Sequence, residues 1–122
     1  MVAFEEMDKH VTIFAQMEVD TAPVILINTF TVAPQDVEQL LAAWTADADW
    51  MRQQPGYISA QLHRGVGGSC VFLNYAVWES MEDFKRAFTH HEFRARLNNY
   101  PGSAVASPHL FKKVAVPRIC LG

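Results

Sequence analysis

Four side chains could do chemistry by type and position: Asn28 in VILINTFTV, His63 in YISAQLHR, and Asn74 and Trp78 in SCVFLNYAVW. Each segment has the composition of a strand. An amide inside such an apolar run is costly to bury unless its hydrogen bonds are met. Asn74 and Trp78 are four positions apart, so a strand puts them on one face, about 13 Å apart along it. Phe72, Ala76 and Trp78 would then line an apolar cleft, with the Asn74 amide, the Trp78 indole N–H and the His63 imidazole as its few donors. That is the usual make-up of a small-molecule site. Singly, Trp78 suits a core anchor and each asparagine suits a backbone partner; the combination favours a pocket.

The place of His63 depends on a turn. If Gly65-Val66-Gly67-Gly68 closes the hairpin, Ser59 pairs with Asn74, and Tyr57, Ser59, Gln61 and His63 join the face of Asn74. A turn one residue different sends that row to the opposite face. The remaining histidines make no metal site: His90 and His91 are adjacent, His10 and His109 are isolated, and no HxxxH or HxxE spacing is present. Serine elbows, phosphate loops and dinucleotide fingerprints are also missing. Any enzyme here must work without a conventional cofactor motif.

The elements that position these groups follow from periodicity. Residues 1–22 form an N-terminal arm in which HVTIFAQMEV suits a strand or a short helix. Residues 23–122 form the domain proper. Val24 to Val32 is a β-branched strand. Pro34 opens a helix over residues 34–54, with Val37, Leu40, Leu41, Trp44, Ala48 and Met51 as its apolar stripe and Pro55-Gly56 as its end. Strands over 57–64 and 69–78 make the hairpin. Ser80 caps a second helix carrying Met81, Phe84 and Phe88, and a second box, Thr89 with Glu92, breaks it near Thr89. The last strand is expected over 109–116.

The order β-α-β-β-α-β predicts an α+β domain of ferredoxin-like, split βαβ type: a four-stranded antiparallel sheet with helices on one face. The other face would expose Val71, Leu73, Tyr75 and Val77, more than a soluble monomer usually shows. A second copy would cover it, giving a homodimer in the form of a dimeric α+β barrel.

Composition narrows the function classes. The chain of 122 residues has a formal charge of −3 with scattered basic residues, which argues against nucleic acid. Its two cysteines, Cys70 and Cys120, form no metal or redox motif and suit a reducing compartment. Glu5, Glu6 and Asp8 precede any apolar run, unlike a signal peptide, and no segment approaches the roughly 20 apolar residues of a membrane span. A cytoplasmic protein is expected.

VILINTFTV, QQPGYISAQLHR and LNYAVWES, within residues 24 to about 115, resemble the antibiotic-biosynthesis monooxygenase (ABM) family. LNYAVWES is similar to the strand of its anthrone monooxygenases, where an Asn and a Trp four residues apart line the pocket, and His63 falls at a pocket histidine. The resemblance implies a dimeric α+β barrel with a site between the sheet and helices of each subunit. It also implies chemistry without metal or flavin, in which an anthrone loses a proton and its carbanion reduces O2 to give a quinone. Asn74 and Trp78 would hold the developing oxyanion, His63 would assist proton transfer, and Asn28 would fix the substrate or a water. Tyr57, Phe72, Phe84, Phe88 and His91 would surround the small aromatic substrate. Heme-degrading members of the family are the nearest alternative, with Asn28, Trp78 and His90 or His91 as counterparts. A non-redox polyketide-binding or cyclase-like domain is the third.

Overall fold

Strands form where β-branched and aromatic residues alternate, and helices where capping residues precede an apolar stripe. In a computed structural model covering residues 1–122, five strands make one sheet. They are β1 (Ala3–Phe4), β2 (Val24–Thr31), β3 (Tyr57–Arg64), β4 (Val71–Trp78) and β5 (Val105–Phe111), in spatial order β1-β5-β2-β4-β3. Each of the four long strands is antiparallel to its neighbours among them, the ferredoxin-like arrangement.

The short β1 adds a fifth, parallel member at the edge, so the sheet is mixed rather than four-stranded and antiparallel. It comes from the N-terminal arm, whose helix α1 (Ile13–Gln16) also packs Ile13 into the core. Gln16 extends this edge: its amide donates to the Leu110 carbonyl at 2.9 Å and accepts from the Leu110 N–H at 3.0 Å.

The last strand lies at Val105–Phe111, upstream of the expected 109–116. Pro108 argues against a strand in sequence. Here, however, Ala104 and Ala106 turn their carbonyls toward β1, so Pro108 points the same way, beyond the end of β1. No ladder bond is lost there.

The first long helix begins with a 3-10 turn at Pro34–Asp36 and continues as α2 (Val37–Met51). Helix α3 (Met81–Phe88) is capped by Ser80, whose Oγ accepts from the Asp83 N–H at 3.1 Å. The break falls at Thr89 as expected, but His90 caps α4 (His91–Arg96), its Nδ1 accepting from the Glu92 N–H at 3.0 Å. Thr89 instead donates its hydroxyl to the Lys85 carbonyl at 2.7 Å.

The hairpin register differs from the expected one. Arg64 pairs with Phe72, not Ser69, so Leu62 rather than Ser59 lies opposite Asn74. Seven residues, 65–71, separate this pair where four were expected, an odd excess of three, and Gly67 and Gly68 in the connection have φ of +74° and +76°. An odd shift exchanges the two faces. Ser59, Gln61 and His63 therefore lie on the face away from the helices, and Ala60 and Leu62 face the helices. An irregularity between Tyr57 and Ser59 returns Tyr57 to the helix side, opposite Trp78.

Two apolar clusters fill the space between sheet and helices. One is built on Val24, Leu26, Ala76, Trp78, Phe84 and Leu110; the other on Phe30, Leu40, Ala43, Phe72, Tyr100 and Ala106. Fully burying a side chain of this size contributes roughly 1.5–3 kcal/mol. The boundary between the clusters is polar: Asn28 separates Leu26 from Phe30, Asn74 separates Phe72 from Ala76, and Asp47 follows Ala43 on α2.

Candidate functional site

The site lies at this seam. A cavity of about 60 Å³ is walled by Trp44, Asp47 and Met51 of α2, by Tyr57 and Ala60 of β3, and by Asn74, Ala76 and Trp78 of β4. Phe84 and Phe88 of α3, with Phe93 and Tyr100, close it. A neighbouring hollow of about 120 Å³ opens under the N-terminal arm and shares Phe88 and Phe93 with the first. Sites for drug-sized ligands run to roughly 300–1,000 Å³. Each hollow is smaller than that, and Phe88 and Phe93 form the partition between them.

Of the residues expected from sequence, Asn74, Trp78, Tyr57, Phe84 and Phe88 come together on this wall. Trp78 is 2% exposed and held edge-on by Tyr57 and Phe84, with ring centroids 5.6 and 5.9 Å away. Asn28 is the direct partner of Asn74 across β2 and β4. The amide oxygens of both are buried without a hydrogen-bond partner. Such groups carry a desolvation cost of about 1–3 kcal/mol each.

Asn28 stands behind Asn74 and not on the cavity wall, and three further expected residues lie elsewhere. His63 sits on the outer sheet face, its Nδ1 3.3 Å from the Leu73 carbonyl oxygen. Phe72 belongs to the second cluster and lies under the Arg64 guanidinium at 5.1 Å. His91 has a side chain 85% exposed, beside Glu92. His90 is also absent from the wall; it caps α4 and packs on Trp50 at 5.1 Å. No cluster of three or more His, Cys, Asp or Glu side chains suits a metal ion.

Sequence reasoning missed Asp47 and Tyr100. The Tyr100 hydroxyl donates to Asp47 Oδ2 at 2.6 Å, while Asp47 Oδ1 is buried and unpartnered. Burial lifts the Asp47 carboxyl from its ordinary 3.8 to about 6, against the opposing pull of the Tyr100 hydrogen bond and the Arg96 charge. Burial, together with the charge and hydrogen bond of Asp47, pushes the Tyr100 phenol far above its usual range, so it stays a donor. A signal was present in the spacing: Leu40, Trp44, Asp47 and Met51 follow i, i+4, i+7, i+11, which puts Asp47 on the apolar stripe of α2.

A ferredoxin-like sheet with an aromatic chamber under its helices is the class of protein these features define. Residues 23–97 match the family model described as antibiotic biosynthesis monooxygenase, and the chain belongs to that family. No curated protein matches it. Among solved structures, a candidate monooxygenase from Shewanella loihica PV-4 is 34% identical, with 78% of this chain and 97% of that one covered at a TM-score of 0.67. SnoaB, a cofactor-independent oxygenase from Streptomyces nogalater, is 23% identical over 80% of this chain and 99% of its own, also at 0.67. A structure from Caulobacter crescentus CB15, named for the same family, is 18% identical with a TM-score of 0.65, covering 77% of this chain and 92% of its own. No helix is long and apolar enough to cross a membrane.

Proposed function

We propose that this protein is a monooxygenase that uses O2 without a cofactor to oxidise an anthrone-like aromatic polyketide to a quinone. The observation that carries the reading is the chamber itself, aromatic on most sides, with the Asn74 amide, whose oxygen has no partner, and the Trp78 indole in its wall and Asn28 opposite Asn74. The description of SnoaB as cofactor-independent supports it.

An anthrone is a carbon acid: its methylene carbon, set between two aromatic rings, loses a proton to give an enolate. The enolate is electron-rich enough to reduce O2, and the sum is one anthrone plus one O2 giving one quinone plus one water. The protein's task is to favour the enolate over the ketone. Preorganised donors in a water-poor cavity do this, and removing one such donor costs about 3 kcal/mol of barrier. In this reading the indole N–H and the side-chain N–H2 of Asn74 donate to the enolate oxygen, Asn28 orients the ring system, and Tyr57, Phe84 and Phe88 pack on its faces.

The apolar outer sheet face belongs to the same reading: Val71 and Tyr75 are 45% and 38% exposed there, and a second copy covering it makes a homodimer. The test is oxygen uptake with dithranol after treatment with a chelator. Uptake that is saturable and needs folded protein supports the reading; binding without uptake points to a non-redox domain instead.

A further inference from the structure

Deprotonating an anthrone requires a proton acceptor, and the histidine that sequence offered for this task lies on the far side of the sheet. The cavity wall holds one carboxylate, Asp47, 5% exposed on the inner face of α2. One of its oxygens is fixed by the Tyr100 hydroxyl at 2.6 Å and the other has no partner. Tyr100 is in turn held by stacking on Phe30 at 5.9 Å, two residues from Asn28. A buried carboxylate on the cavity wall, with one oxygen satisfied and one without a partner, has a lone pair left to take a proton.

We infer that Asp47 is the general base of the site, its free Oδ1 taking the proton from the methylene carbon of the substrate. This rests on the oxygenase reading above. In the first step the C–H bond breaks, its electron pair passes into the enolate, and the proton moves to Oδ1. The enolate carbon then bonds to O2, and its electrons form a peroxide anion that recovers the proton from Asp47. Removal of the second proton from that carbon by Asp47 forms the new carbonyl and breaks the O–O bond. The departing hydroxide takes the proton as water. One carboxylate thus serves each transfer in turn.

The setting suits the task, since a base poised near the working pH is the efficient one. Burial holds the carboxyl at about 6, opposed by the Tyr100 hydroxyl and by the charge of Arg96, whose buried Nε has no partner of its own. The Tyr57 phenol, from β3, also lies on the wall.

The test has an anaerobic arm and an aerobic arm, both with dithranol. Without O2, the wild type should develop the absorption of bound enolate as pH rises through about 6. Asp47→Asn should lose it. In air, Asp47→Asn should turn over about 100-fold more slowly or worse, without the acidic limb of the pH profile. Tyr100→Phe, which removes a bond favouring the carboxylate, should move that limb to higher pH, a shift that a purely structural role would not produce. If Asp47→Asn matches the wild type in both arms, the assignment fails while the oxygenase reading stands. Enolate formation without O2 uptake by the wild type keeps the base and sinks the oxygenase. Absence of both overturns both. Should Asp47→Asn fail to fold by circular dichroism, the Tyr100→Phe profile decides, and an unmoved limb counts against the base.

Discussion

Asn28 and Asn74 face one another across β2 and β4, and neither amide oxygen has a hydrogen-bond partner. They interrupt a sheet face that is otherwise apolar, at the boundary between the two core clusters. A fold optimised for stability alone would carry leucine at both positions. Asn74→Leu, close to isosteric, should raise stability by about 1 kcal/mol by removing an unmet amide. Dithranol oxidation should fall about 100-fold. Urea unfolding and oxygen uptake on the same preparation check the two halves; a variant both less stable and fully active would contradict the account.

Trp78 is packed edge-on between Tyr57 and Phe84, so its replacement also tests packing. Trp78→Phe keeps an aromatic ring but removes the N–H. The variant should fold and retain the near-native far-ultraviolet circular dichroism spectrum. Turnover should drop by about 100-fold, the equivalent of one lost oxyanion donor. Unchanged turnover would remove the indole from the chemistry.

Asp47 gives a stability prediction independent of activity. Its carboxyl rises from 3.8 unfolded to about 6 folded, so between these values the native state holds a proton that the unfolded chain has released. Stability from this group therefore falls as pH rises from about 4 to 6, and the loss is complete above that. The rise from 3.8 to about 6 corresponds to a change on the order of 3 kcal/mol. Asp47→Asn lacks this dependence. Its stability relative to wild type should improve by that order between pH 4 and pH 7.5 in urea titrations; an equal difference at both values would contradict the burial argument.

Much of this architecture could be read from sequence because it rests on local rules. The β-branched run in VILINTFTV, the Ser80 cap and the break at Thr89 are each decided within a few residues. The hairpin register is not local. It depends on how many residues the 65–70 connection consumes, and the glycines permit more than one turn, so His63 could not be assigned a face. Asp47 was obscured for a different reason: an acid on a helix ordinarily faces water, which outweighs its place on the α2 stripe, and the Tyr100 hydroxyl that meets it inside comes from 53 positions away in sequence. Pro108 conceals β5 because its tolerance depends on where the neighbouring strand stops.

The outer sheet face predicts assembly. Val71, Tyr75 and Phe111 are each more than a third exposed there. The wild type should elute with the mass of a dimer in light scattering, and the double substitution Val71→Lys with Tyr75→Lys should give a folded monomer. A wild-type monomer at micromolar concentration would remove the dimer from the account.

The central claim is that the organic substrate itself delivers electrons to O2 and retains one of its oxygen atoms. Oxidation of dithranol under ¹⁸O2 by chelator-treated protein, with mass analysis of the quinone, tests it most directly. One labelled oxygen at the former methylene carbon, in a quinone that accumulates about 100-fold more slowly with Trp78→Phe and more slowly still without protein, is the predicted result. A quinone whose new oxygen comes from water, or formed no faster than without protein, would contradict it.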